Sequence, residues 1–90
     1  MNLKERLMAD LKEAMRRGDV TRRDTIRMAR AVVLNAEIAR QHEADDQEVQ
    51  QLLAQEIKRR LEAIELFRRG GRDDLVRTEE AQLAVLREYL

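Results

Sequence analysis

Proline is absent from these 90 residues and glycine occupies only positions 18, 70 and 71, so little in the chain can interrupt a helix. Apolar residues recur three and four apart almost throughout, the period of one helical face. The spacing predicts an all-α fold. Helix 1 is expected from Asn2 to Arg17, with Leu3, Leu7, Leu11, Ala14 and Met15 on one stripe and Gly18 as its stop. Thr21 with Asp24 three residues on resembles a capping box, which would start helix 2 there and present Ile26, Ala29, Val32, Val33 and Ala36 before an end near Gln41 or His42. Asp45 and Glu48 repeat that signature ahead of helix 3, whose apolar residues are Val49, Leu52, Leu53, Ile57, Leu61, Ile64 and Phe67. Asp73 or Asp74 is expected to cap helix 4, which carries Leu75, Val76, Leu83, Leu86, Tyr89 and Leu90.

The links are a few residues long, which favours a small bundle of four helices in antiparallel hairpins, helix 3 being the longest. Leu, Ile, Val and Phe make up about a quarter of the chain, enough for a charged sequence to fold as one small domain. Glu13 with Arg17, Glu56 with Arg60 and Glu65 with Arg69 stand at i and i+4, acid first, so much of the charge is solvated helix surface.

Charged residues are 40% of the chain but divide into 18 basic and 18 acidic. No global field draws in nucleic acid or an anionic membrane, and any such attraction must be local. The lack of cysteine excludes disulfides, thiolate metal sites and a Cys nucleophile, and is compatible with a reducing cytoplasm. The first 20 residues lack the unbroken apolar core of a signal peptide, and no run approaches transmembrane length.

Two basic features are candidates for phosphate contact. In "RRGGR", Arg68, Arg69 and Arg72 frame Gly70 and Gly71. Its plainer role is helix punctuation, with arginines facing the negative end of the helix dipole and glycine supplying the turn. Its functional role would be a backbone cradle for a phosphate at the start of helix 4, hindered by Asp73 and Asp74. The second feature is Arg23, Arg27 and Arg30, on one face of helix 2, beside Lys58, Arg59 and Arg60 if helices 2 and 3 pack antiparallel. An ordinary solvated face with acidic neighbours is the plainer account of those residues. Phe67 and Tyr89 are the only aromatics and both fall on apolar stripes, so base stacking is hardly available.

Catalytic chemistry is not legible. His42 is the only histidine, no Glu-x-x-His pattern accompanies the glutamates, and no metal or other cofactor is expected. Glu62, Glu65, Glu79 and Glu80 read as helix surface. Met8, Met15 and Met28 read as core filler, with a soft recognition surface as the alternative.

The segments "TIRMARAVVLNAEI", "EIKRRLEAIELFRRGGRDDLV" and "EEAQLAVLREYL" resemble the amino-terminal helical domain of YqeY-like proteins, the GatB/YqeY domain family. The resemblance covers almost the whole chain, with the "GRDDL" to "YL" ending its most specific part. It implies a small bacterial, cytoplasmic protein related to the tail of the B subunit of the tRNA-dependent amidotransferase. That tail is associated with tRNA recognition. It also implies a second, smaller helical domain beyond residues 1–90, absent from this sequence. The amide-transferring site belongs to other amidotransferase domains, so a family label of carbon-nitrogen ligase with glutamine as amido donor would overstate this chain. The expectation is therefore a noncatalytic module associated with tRNA or amidotransferase subunits, with Arg27, Arg30, Lys58, Arg59 and Arg72 as phosphate contacts and no membrane role. The alternative is a protein-interaction bundle, including a homodimer through helices 3 and 4, with Tyr89 and Leu90 packed on helix 3 or on a second copy.

Overall fold

All three glycines fall at helix ends in the computed structural model, which describes residues 1–90. Four helices make up the all-α fold: α1 (Leu3–Arg17), α2 (Val20–Arg40), α3 (Asp46–Arg69) and α4 (Asp73–Arg87). Gly18 and Gly71 adopt left-handed φ values of 68° and 69°. Each closes its helix with the same pair of bonds. The Gly18 amide donates to the Met15 carbonyl (3.3 Å) and the Asp19 amide to that of Ala14 (2.9 Å). The Gly71 amide donates to Arg68 (3.1 Å) and the Arg72 amide to Phe67 (2.9 Å). Carbonyls that a helix end would otherwise leave bare are thus satisfied.

The helix starts are set by acids and amides. Asn2 accepts from the Glu5 amide (2.8 Å), and Asp45 and Glu48 form the expected reciprocal box (2.9 and 3.4 Å). Two starts differ from expectation. α2 begins behind Asp19, whose carboxylate accepts from the Arg22 amide (3.1 Å), and not at the Thr21 and Asp24 pair. The Gly18 turn delivers Asp19 to the cap position at once, leaving Thr21 in the first turn. At α4, Arg72 holds the cap position without a side-chain bond to the helix's backbone amides, and Asp73 and Asp74 lie in the first turn. There they face the positive end of the helix dipole.

α1 pairs with α2 and α3 with α4, and α2 also lies along α4. Antiparallel hairpins follow from the short links, and α3 is the longest helix at 24 residues. The core draws Leu7 and Leu11 from α1, Ile26, Ala29 and Val33 from α2, Val49, Leu53 and Ile57 from α3, and Val76, Leu83 and Leu86 from α4. Each of these side chains except Ala29 contributes about 1.5–3 kcal/mol relative to exposure.

Tyr89 is the residue placed most differently from expectation. It is 2% exposed, but against α1: its phenol donates to Asp10 (2.5 Å), and the Arg6 guanidinium lies 4.6 Å over its ring. Leu90 remains 56% exposed, bordered by Gln47 and Ala54 of α3. Burial, followed by the Asp10 hydrogen bond, pushes the Tyr89 phenol well above its usual 10.

A Cβ at Gly71 would meet no atom within 4 Å, so a substitution there is opposed by backbone conformation alone. Gly71→Ala should lower stability by about 1–2 kcal/mol, and Gly71→Asn by less, because Asn tolerates the left-handed region. Urea unfolding followed by circular dichroism checks both. Equal stability of the Ala variant and the parent would contradict the assigned turn.

Candidate functional site

Antiparallel pairing of two helices of unequal length leaves a surface groove. α2 has 21 residues and α1 has 15, so they extend about 31 and 22 Å at 1.5 Å per residue. Between them lies a groove of about 350 Å³ lined by Leu7, Ala31, Val33 and Leu34, with Lys4, Arg27, Arg30 and Glu37 as its polar residues. Leu34 is 55% exposed and Ile38, one turn further along α2, is 67% exposed. Met15, at the α1 end, is 51% exposed and receives the Arg27 guanidinium against its sulfur (3.9 Å).

The polar groups divide into tied and untied. Glu37 Oε2 accepts from Lys4 Nζ (2.6 Å) and from the Ala44 amide (2.8 Å), joining α1, α2 and the link to α3. The Lys4 hydrogen bond, helped by the Ala44 amide, holds the Glu37 carboxyl below its ordinary 4.5, and the same bond raises the Lys4 amine above 10.5. Arg27 and Arg30 have no carboxylate within 4 Å, whereas ten of the fifteen arginines do. That contrast makes this groove the candidate site.

Of the five residues expected to contact phosphate, only Arg27 and Arg30 share this groove. Lys58 and Arg59 are neighbours on the exposed side of α3, which packs chiefly on α4. Arg59 Nη1 is held by Glu56 Oε1 (2.9 Å). Arg60 is largely buried, takes the other Glu56 oxygen (3.0 Å) and reaches toward Glu79 (3.9 Å), while Arg23 is paired with Asp24 (2.9 Å). Arg72 donates twice to Asp74 (3.2 and 3.1 Å), which raises the guanidinium and lowers the carboxyl. The amides of Gly70, Gly71 and Arg72 are all used by carbonyls of α3. "RRGGR" is therefore a helix junction whose donors are already occupied.

Sequence reasoning missed Leu34 and Ile38 and assigned Met15 to the core stripe. The signal was available: Ala31, Leu34 and Ile38 stand three and four apart on α2, a second apolar stripe beside the buried one. His42 is exposed in the α2–α3 link, its Nδ1 2.9 Å from the Glu43 carbonyl. No three His, Cys, Asp or Glu side chains are grouped to hold a metal ion, and no helix is long and apolar enough to cross a membrane.

Fold and groove together define a small all-helical domain with an apolar, cation-edged surface. The chain belongs to the YqeY-like family: the family model described as Yqey-like protein matches residues 4–90. Three fungal proteins called "Altered inheritance of mitochondria protein 41, mitochondrial" are similar over 93% of this chain and 46% of their own length. Identity is 40% for that of Pyrenophora tritici-repentis, 34% for Eremothecium gossypii and 35% for Lachancea thermotolerans. The chain thus spans about half the length of the curated relatives it matches. These relatives correct the expectation of a bacterial, cytoplasmic protein, since they are fungal and called mitochondrial. Helical periodicity and balanced charge carry no compartment signal, so that expectation had rested on the resemblance alone.

Because the folded Glu37 carboxyl lies below its unfolded value, its contribution is present above about 4.5 and is lost as pH falls through the lowered folded value. Glu37→Gln should be less stable than the parent at pH 7, and the gap should close as pH falls below that point. Urea midpoints measured across pH 3–7 read this directly, and a gap independent of pH would remove the carboxylate's role.

Proposed function

We propose that the chain is a noncatalytic association module that works beside tRNA or an amidotransferase subunit, binding through the α1–α2 face. The observation that carries this reading is the pair Arg27 and Arg30, cations without carboxylate partners at the edge of an apolar groove. A partner can engage them without breaking an ion pair. Lys58, exposed on α3 and also without a carboxylate partner, is a third contact outside that face. Arg59 and Arg72 are contacts of second rank, because each must first leave Glu56 or Asp74. Membership of the YqeY-like family supports the setting, through that family's relation to the amidotransferase B-subunit tail.

The noncatalytic part of the reading is supported by the environment of the acids. Glu56, the one buried carboxylate, is neutralised by Arg59 and Arg60, and Glu79 approaches the same Arg60 (3.9 Å), so both acids are engaged as ion pairs instead of standing free for proton transfer. Detectable amide transfer or glutaminase activity by the chain would contradict this part.

Binding to unfractionated tRNA and to isolated amidotransferase subunits, measured across a salt series, tests the setting. If tRNA is the partner, Arg27→Ala, Arg30→Ala and Lys58→Ala together should flatten the dependence of log K on log salt by about two to three units, at 0.7–0.9 per phosphate contact. Arg59→Ala with Arg72→Ala should change it less. No association with either partner at low salt would refute the proposal.

A further inference from the structure

The α1–α2 groove combines two properties that phosphate binding does not require together. Two of its three cations, Arg27 and Arg30, have no carboxylate partner, and exposed apolar residues stand in it and beside it: Leu34 in its lining, Met15 against Arg27 and Ile38 one turn beyond Leu34 are each more than half exposed. A polyphosphate backbone would satisfy Arg27 and Arg30 but leave these side chains wet, and the groove offers no aromatic ring for a base. An amphipathic helix satisfies both. From Arg27 to Ile38 the run measures about 17 Å at 1.5 Å per residue, or three helical turns. A groove between two antiparallel helices is the shape into which the ridge of a third one fits.

We propose that this groove receives an acidic amphipathic helix from a protein partner, with apolar side chains at three- and four-residue spacing over Met15, Leu34 and Ile38 and carboxylates on Arg27 and Arg30. This rests on the reading of the α1–α2 face as the binding surface, and it names the occupant. Charge excludes the simplest rival. A second copy offering the same face brings no free carboxylate to Arg27 or Arg30, because Glu37, the only acid lining the groove, is held by Lys4 and the Ala44 amide. The thioether of Met15 and the flexible guanidiniums can adjust to the partner's side chains, a property of helix-accepting surfaces.

The test uses two synthetic 16-residue helical peptides with the same leucine spacing, one flanked by Glu and the other by Lys, each carrying a fluorophore. Anisotropy titration against the 90-residue chain should show the Glu peptide binding at least about ten-fold tighter, a separation of about 1.4 kcal/mol. Leu34→Glu should weaken that binding about ten-fold or more. Arg27→Glu with Arg30→Glu should reverse the preference, so that the Lys peptide binds better. This gain of binding cannot arise from unfolding, and circular dichroism verifies the fold of each variant.

Equal affinity for the two peptides, or binding indifferent to Leu34→Glu, would overturn the inference. A dimer seen by sedimentation and dissolved by Leu34→Glu would overturn it in favour of a second copy. If the peptides fail while tRNA binding depends on Arg27 and Arg30, the occupant is wrong and the face is retained. If substitutions at Arg27, Arg30 and Leu34 alter no binding at all, the reading of the face falls with it.

Discussion

The closure of the bundle depends on burying one aromatic ring with a polar end. Tyr89 brings a large apolar surface to the seam where the last turn of the chain meets α1, but its hydroxyl needs a partner once water is excluded. Asp10 supplies the acceptor. A carboxylate placed there needs compensation, which comes from Arg6 at 3.8 Å and Arg22 at 3.7 Å, and Arg22 is in turn held by Glu88 at 2.6 Å. The network spans α1, α2 and the end of α4. With α4 fixed along α2 in this way, α3 rides mainly on α4, and the side of α2 next to α1 stays uncovered. The open groove is thus a consequence of which helix α4 chooses as its neighbour.

Pairing, more than net charge, gives the surface its character. Exposed ion pairs contribute little stability, about 0–1 kcal/mol each, yet they decide which cations remain available to another molecule. Arg16 folds onto Glu13, Arg68 and Arg69 approach Glu65, and Arg72 turns back onto Asp74. Arg27 rests on a thioether. A chain with zero formal net charge can therefore present a locally basic, locally apolar face without any excess of positive residues.

The features legible in the sequence are those settled within a few residues of the chain. Gly18 and the Asp45–Glu48 box lie where expected because their bonding partners are three to five residues away, and helix number and the hairpin pairing follow from them. The start of α2 was misjudged by two competing local signals, Asp19 and Thr21, of which the turn before them selects the nearer. What could not be read locally was the facing of each stripe. Leu61 and Leu34 have similar sequence surroundings to buried leucines, yet stand 45% and 55% exposed. Their exposure depends on which helix covers which, and Tyr89 sets that from the far end of the chain. Ion pairing was legible for two of the three expected pairs: Glu56 holds Arg60 and Glu65 approaches Arg69, whereas Glu13 takes Arg16 at i+3 in place of Arg17 at i+4, and Glu56 takes Arg59 as well.

The "RRGGR" turn and the α1–α2 groove differ in what a ligand must displace. An anion at the turn competes for amides already donating to Phe67 and Arg68 and for a guanidinium already shared with Asp74. Each replaced bond returns little, because one hydrogen bond is exchanged for another of similar strength. At the groove, engagement of Arg27 gives up only a sulfur contact, and covering Leu34 and Ile38 removes apolar surface from water. Both changes act in the same direction. The density of arginine and glycine in a short run is therefore a poorer guide to a binding surface than the absence of internal partners beside exposed aliphatic side chains.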